Sequence, residues 1–122
     1  MTRFQDLPSF TAEDVRAAIC RDDKDELPLV PVTVAMLSPE LGPAMDVCIE
    51  LAVSSDASVR GNALISLGHL ARRFRSLDEP RVRPLIEAGL RDRDSSVRAL
   101  AKSAADEIHQ FLHWTIAGHT YG

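Results

Sequence analysis

The chain has few cysteines, no long apolar run and no excess of positive charge, and each shortage excludes a class of protein. Its two cysteines, Cys20 and Cys48, form no CxxC pair, so neither a disulfide framework nor a zinc ribbon is expected. Each is predicted to be a small core residue with a free thiol. No apolar stretch approaches the roughly 20 residues of a membrane span, and the first six residues lack a secretory pattern. We therefore expect a cytoplasmic protein that contacts no membrane.

Acidic residues outnumber basic ones, and they are unevenly placed. The 18 acidic and 14 basic residues give a net charge of −4, which disfavours direct binding to nucleic acid because such binding neutralises phosphates. The acidic excess lies in residues 1–50, with ten acidic against four basic residues. It peaks in one turn, at Asp22, Asp23, Asp25 and Glu26. This acidic turn is either a solvated loop or a landing site that attracts a basic partner.

The composition is that of one ordinary globular domain. The chain has 122 residues, of which 45% are hydrophobic and 26% charged, and a domain of this size buries a core without staples. Apolar residues recur at helical spacing in six segments, and no segment convincingly predicts a strand. Thr11, with Asp14 three residues later, is predicted to cap the first helix. Pro28 and Pro31 fit the first turn of a second helix ending at about Leu37, although its β-branched residues leave a strand as the alternative.

Four further helices are predicted from their starting residues and their apolar spacing. An Asp precedes three of them, where its side chain can cap the free amides, and a proline fits the first turn of two. The predicted segments run from Pro43 to about Val53, from Asp56 to about Phe74, from Asp78 to about Leu90 and from Asp94 to about Ile116. The tail, residues 117–122, is expected to fray.

One short motif occurs twice. Asp56-Ala57-Ser58-Val59-Arg60 recurs 38 residues later as Asp94-Ser95-Ser96-Val97-Arg98. The apolar stripe that follows each copy recurs at the same offset. A repeat of about 40 residues that contains two helices is typical of an α-solenoid, in which stacked helix pairs share one core.

The duplicated motif, followed by Ala and Leu down the helix, resembles the HEAT repeat. The resemblance implies an all-α, right-handed α-α superhelix with about six helices in three antiparallel pairs. It divides a single domain, residues 1–122, into a divergent first pair at about 11–37 and repeats at about 43–74 and 79–116. It also implies that Arg60 and Arg98 reach the Asp of an adjacent repeat.

A groove face is predicted on the second helix of each repeat, opposite its core stripe. Second helices line the concave surface of a solenoid, where partners bind. Ile65 and Trp114 can be interpreted either as exposed groove residues or as core residues. With the acidic turn, the predicted partner-binding residues are Asn62, Ile65, His69, Arg72, Glu107, Gln110, Phe111 and Trp114.

Several segments resemble small bacterial HEAT-repeat immunity proteins of contact-dependent growth inhibition and other polymorphic toxin systems: residues 27–31, residues 59–63 with 68–72, and residues 109–114. This resemblance implies a non-catalytic inhibitor that binds and neutralises the C-terminal toxin domain of a large secreted effector, often a nuclease. An acidic inhibitor suits a basic toxin domain. The alternatives are a general HEAT-repeat binding scaffold and a bilin lyase-like HEAT protein, although an aromatic content of 5% leaves few groups to stack on a tetrapyrrole.

No cofactor or metal is expected. His109 and His113 are one helical turn apart, with Asp106 one turn earlier, but no further ligand follows at a recognisable spacing. The sequence contains no nucleophile elbow and no phosphate-binding glycine loop. We therefore expect a binding protein and not an enzyme.

Overall fold

Six α-helices and no β-strand make up the part of the chain that the structure describes. A computed structural model describes Phe4 and residues 9–120, and the remaining residues at the two termini lie outside it. The all-α prediction is confirmed for these residues, and the alternative of a strand in the second segment is wrong. The helices are α1 (Ala12–Arg21), α2 (Leu29–Leu37), α3 (Leu41–Leu51), α4 (Ala57–Phe74), α5 (Glu79–Gly89) and α6 (Ser95–Leu112).

The predicted caps at Thr11, Asp56 and Asp94 are confirmed. The Thr11 hydroxyl accepts the Asp14 amide at 3.2 Å, and the Asp14 carboxylate accepts the Thr11 amide at 2.8 Å, which completes a capping box. The Asp56 carboxylate accepts hydrogen bonds from the backbone amides of Ser58, at 2.8 Å, and Val59, at 3.2 Å. The Asp94 carboxylate accepts the equivalent bonds from Ser96 and Val97, at 2.8 and 3.1 Å. Asp78 precedes α5 as predicted, but its side chain makes no capping hydrogen bond.

Tertiary packing explains why the β-branched segment of residues 29–37 is helical. Pro31 lies in the first turn of α2, where its missing amide leaves no helical hydrogen bond unmade. Val30 and Val34 are buried on one side of the helix, and α2 packs against α4 and α3. Burial of this face outweighs the modest helix penalty of Val and Thr.

The centre of the molecule is the contact between α4 and α6, which is the most extensive between any two helices described. Gly61 and Gly68 make it close. A Cβ on Gly61 would lie 2.7 Å from Leu100 Cδ1, and one on Gly68 would lie 3.0 Å from Ala104 Cα. Both glycines are buried, so they serve close helix packing and bring the two helix backbones together.

The end of α6 differs from the prediction. The helix stops at Leu112 and not at about Ile116, because His113 adopts a left-handed conformation, with φ of 62°, and turns the chain back. Ile116 then enters the core, where it is 1% exposed. His119 lies 2.7 Å from Asp106 of α6. Within the tail that was expected to fray, His119 therefore contacts α6, and residues 121–122 lie outside the described part.

The two cysteines differ in environment. Cys48 is fully buried in α3, where its thiol donates a long hydrogen bond of 3.8 Å to the Pro31 carbonyl. Burial raises the pKa of the Cys48 thiol to about 12, because the charged thiolate loses its hydration. Cys20 is also free but exposed on α1, so its predicted place in the core is wrong.

Candidate binding surfaces

The residues predicted to face a groove include three ionisable side chains, His69, Arg72 and Glu107, that join α4 to α6. His69 Nδ1 lies 3.2 Å from Glu107 Oε2, and Arg72 Nη1 lies 3.4 Å from Glu107 Oε1. His69 Nδ1 and Glu107 Oε2 are both buried, and their geometry is not that of a hydrogen bond. A Cβ on Gly68 would come within 2.8 Å of Glu107 Oε2, so the absence of a side chain there lets the carboxylate approach α4. Glu107 therefore serves an internal ionic cluster, while Arg72 remains 55% exposed at its edge.

Asn62, Ile65 and Gln110 have different environments on the same predicted face. Asn62 is half-buried, and its side-chain amide donates to the Pro28 carbonyl at 2.8 Å, which attaches the start of α2 to α4. Ile65 is half-buried against the core. Gln110 is exposed on α6. On the predicted face, Asn62 and Ile65 thus stabilise the fold, whereas Gln110 is exposed to solvent.

The two predicted aromatic anchors each lie under an arginine. Phe111 is half-buried, with the Arg75 guanidinium carbon 4.7 Å from its ring centre. Trp114 packs partly against the core, with the Arg83 guanidinium carbon 5.6 Å from its ring centre. The Arg83 guanidinium also donates to the Thr115 carbonyl at 2.6 Å, which fixes the residue after Trp114. Both aromatic rings therefore stabilise the C-terminal end of the fold through cation–π contacts.

The acidic turn divides into a buried residue and exposed ones. Glu26 is 2% exposed, and its carboxylate accepts from Arg21 at 2.7 Å and from the Phe4 amide at 2.8 Å. The Arg21 guanidinium holds the pKa of the Glu26 carboxyl below its usual range, because its hydrogen bonds favour the charged form. Glu26 is therefore part of the fold and lies beneath the surface.

The exposed part of the turn is more acidic than basic. Asp22 and Asp25 are exposed, and Lys24 lies between them in the chain. The Asp23 carboxylate is half-buried and accepts the amides of Asp25, at 2.8 Å, and Glu26, at 3.1 Å. Asp23 orders the turn, and Asp22 and Asp25 are the acidic groups that it displays.

An exposed apolar surface lies where sequence reasoning did not place one. Of the four large apolar side chains that are more than a third exposed in the described ranges, three belong to α2: Leu29, Met36 and Leu37, at 41%, 59% and 61%. Val53, after α3, is 69% exposed. The signal was present in the sequence, because α2 has nine residues and none is charged. An all-apolar helix buries one face on its own domain and leaves the other apolar.

Side chains of α4 hold α2 at both of its ends. Asn62 binds the Pro28 carbonyl, as described above. Near the other end, Arg73 donates to the carbonyls of Ala35, at 2.7 Å, and Ser38, at 3.0 Å. α2 and α4 therefore begin near each other and end near each other. A helix attached in this way keeps the orientation of its exposed face.

Two cavities lie beside these elements. One of about 440 Å³ is open to solvent and lies between α1, α2 and α3, with Val15, Val34 and Ala44 among its lining residues. The other, of about 410 Å³, lies where α2, α4 and α6 begin, and Pro28, Asn62 and Leu100 line it. At its edge the free amides of α4 and α6 are already bound by Asp56 and Asp94.

Comparison of the chain with protein-family models, with curated proteins and with solved structures found no match in any of the three. Within residues 9–120, no helix has the length and apolar content needed to cross a bilayer. Among the described residues, no three His, Cys, Asp or Glu side chains form a group that could hold a metal ion.

Proposed function

We propose that this chain is a HEAT-like solenoid that works by binding another protein, and that it is an immunity protein. In this proposal its six helices form three antiparallel pairs in a right-handed superhelix. It binds the C-terminal toxin domain of a contact-dependent inhibition effector and neutralises it without catalysis. The partner is a basic protein domain, and the place of action is the cytoplasm.

The observation that carries the proposal is the repetition of one set of contacts at an offset of 38 residues. Asp56 and Asp94 cap their helices through the same two amides. Arg60 and Arg98 each donate from Nη1 to the carbonyl six residues earlier, of Ser54 at 3.1 Å and of Asp92 at 2.7 Å. Equivalent residues that make equivalent bonds support two copies of one structural unit.

Contacts between the helices agree with a stacked arrangement. The second helices of the proposed pairs, α2, α4 and α6, contact one another in the order of the chain. The first helices α3 and α5 also touch. Contacts between neighbouring units alone are the defining property of a solenoid.

The charge of the chain favours a basic partner. The net charge is −4, and the acidic turn displays Asp22 and Asp25 to solvent. Opposite charge speeds association and disfavours wrong partners. A nuclease toxin carries a basic surface for its nucleic acid substrate, so an acidic inhibitor is suited to cover it.

Growth rescue combined with direct binding tests this function. We expect a neighbouring gene to encode a large secreted protein, and its absence would contradict the proposal. The C-terminal domain of that protein is expressed from an inducible promoter, with and without the chain. We expect growth to stop without the chain and to continue with it, and we expect the purified proteins to co-elute from a sizing column. Binding weakens as salt rises. Growth arrest in the presence of the chain, with no complex on the column, would contradict the proposal.

A further inference from the structure

We infer that the exposed apolar face of α2, together with the acidic turn that precedes it, binds an amphipathic helix that is basic on its polar side. The face consists of Leu29, Val32, Met36 and Leu37, which we call the α2 face. The position of this face rests on exposure and contacts alone. The positive charge of its partner rests on the acidic turn and on the basic partner of the proposed function.

The α2 face lies along one side of its helix, with the half-buried Thr33 in its middle. At 100° per residue, the arc from Val32 to Leu37 spans about 140°, and its midpoint lies about 160° from the midpoint of the buried side of α2. Val30 and Val34 are 0% and 2% exposed, whereas Met36 and Leu37 are more than half exposed. Solvent-facing residues of a helix are ordinarily polar, so an uncharged exposed side points to a partner that covers it.

The solvent-exposed sides of α4 and α6 are polar. On α4 and α6, solvent reaches Arg72, Lys102 and Gln110, and the exposed sides of these helices carry no large apolar side chain that is more than a third exposed. The exposed side of α2 is therefore apolar, unlike the exposed sides of α4 and α6. The difference follows from its sequence, because the same nine residues also supply the buried side.

The shape of the α2 face favours a helix as its occupant. It runs over about two helical turns, roughly 12 Å, and matches apolar side chains spaced i, i+3, i+4 and i+7 on a second helix. Asn62 and Arg73 hold the ends of α2, through hydrogen bonds of 2.8 and 2.7 Å. Little conformational freedom is then lost on binding, and this raises affinity.

The charge of the partner follows from the surface next to the α2 face. A face two turns long is smaller than the roughly 800 Å² that each partner contributes to a stable interface. The partner must extend past α2, and the acidic turn ends at Glu26, three residues before Leu29 in the chain. Asp22 and Asp25 are exposed there on either side of the exposed Lys24, so negative charge is in excess. Lys or Arg side chains of the partner helix, one turn beyond its apolar residues, would meet these carboxylates. This charge pairing fixes the direction in which the partner helix binds.

A synthetic helical peptide tests the inference without a natural partner. The probe has Leu at i, i+3, i+4 and i+7 and Lys at its other positions, and a matched probe has Glu in place of Lys. Amide shifts of the ¹⁵N-labelled full chain are followed during titration. We expect the Lys peptide to shift amides in residues 22–37, and we expect the Glu peptide to bind at least about tenfold more weakly.

Two variants make the test specific to α2. Met36→Glu places a charge in the α2 face, and Val53→Glu places the same charge at an equally exposed apolar residue elsewhere, since the two side chains are 59% and 69% exposed. Both are expected to keep the thermal midpoint of the parent. Met36→Glu is expected to weaken the Lys peptide about tenfold or more, and Val53→Glu to leave it unchanged.

Several outcomes would overturn the inference. They are shifts that map to α4 and α6, equal binding of both peptides, equal affinity of the two variants, or no shift at peptide concentrations of about 1 mM. Sedimentation of the chain alone supplies another. A dimer that Met36→Glu dissociates would show that a second copy occupies the α2 face.

The same variants separate this inference from the proposed function. If the chain rescues growth and Met36→Glu rescues equally well, the toxin binds elsewhere and only the α2 inference fails. If the Lys peptide binds at α2 and no toxin is neutralised, the surface is correct and the proposed function fails.

Discussion

Arg60 and Asp92 are joined by two parallel hydrogen bonds, each 2.9 Å long, from Nε and Nη2 of the guanidinium to the two carboxylate oxygens. Both side chains are 14% exposed. The Asp92 carbonyl also accepts from Arg98 at 2.7 Å, so one residue connects both copies of the repeated motif. The acceptor is Asp92 and not the capping Asp94, two residues later, whose amide the Asp92 carboxylate accepts at 2.9 Å.

Loss of this pair is expected to destabilise the fold more than loss of its repeat equivalent. Arg60→Ala removes the two hydrogen bonds to Asp92 and two more to the carbonyls of Ser54 and Ser55, and it leaves a partly buried carboxylate. We expect it to lower the free energy of unfolding by about 2 kcal/mol. Arg98→Ala is the matched control, because Arg98 has a single carbonyl contact in the described structure. Urea denaturation measures the free energy of unfolding of both variants. Equal losses would show that the bidentate geometry adds nothing.

The helix caps supply a second comparison. Asp56→Ala and Asp94→Ala each remove a side chain that accepts two amides, and each is expected to lower the free energy of unfolding by about 1 kcal/mol. Asp78→Ala serves as control, since Asp78 stands before α5 without a capping hydrogen bond. It is expected to change stability by less than about 0.5 kcal/mol. Thermal and urea unfolding measure these losses. Equal losses of stability in all three variants would contradict the capping role of Asp56 and Asp94.

Close packing of α4 on α6 predicts that an added methyl group is costly at one glycine and not at another. A Cβ at Gly68 meets Ala104 Cα at 3.0 Å, which only a backbone shift can relieve, so Gly68→Ala is expected to destabilise the fold by about 1–2 kcal/mol. A Cβ at Gly42 meets nothing within 4 Å. Gly42 precedes Pro43 in the first turn of α3, where a side chain is disfavoured in the helical conformation and offsets the usual gain of replacing glycine, so Gly42→Ala is expected to change stability by less than about 0.5 kcal/mol. Calorimetry compares the two variants, and a stabilised Gly68→Ala would refute the close approach.

Acid is expected to weaken the fold through Asp92. The Arg60 guanidinium lowers the pKa of the Asp92 carboxyl from its ordinary value of 3.8, because its hydrogen bonds favour the charged form. A lowered folded pKa means that this stabilisation is present above the ordinary value and is lost as pH falls through the lowered one. Between pH 5 and about pH 2, parent stability is expected to fall more steeply than that of Asp92→Asn. Parallel curves in urea titrations at each pH would contradict the assignment.

Helix starts were predictable from sequence, whereas one end and several contacts were not. Thr11, Asp56 and Asp94 cap as expected because a capping residue bonds amides only two or three positions away. The end of α6 was missed because His113, and not a glycine, takes the left-handed position. Glu107 was placed on the correct helix, but its contact with His69 depends on how closely α4 and α6 approach.

The sequence by itself determined where the capped helices α1, α4 and α6 begin and that one capping motif occurs twice, since those features depend on hydrogen bonds between residues within one turn of each other. The start of α3, predicted at Pro43, lies at Leu41, where no side chain caps the helix. Only the tertiary structure decided which apolar residues remain exposed. Leu29 and Val30 are neighbours with the same chemistry, yet one is 41% exposed and the other fully buried. Their difference arises because α3, the next helix in the chain, and α4, about 20 residues further on, cover one side of α2 and leave the other to solvent.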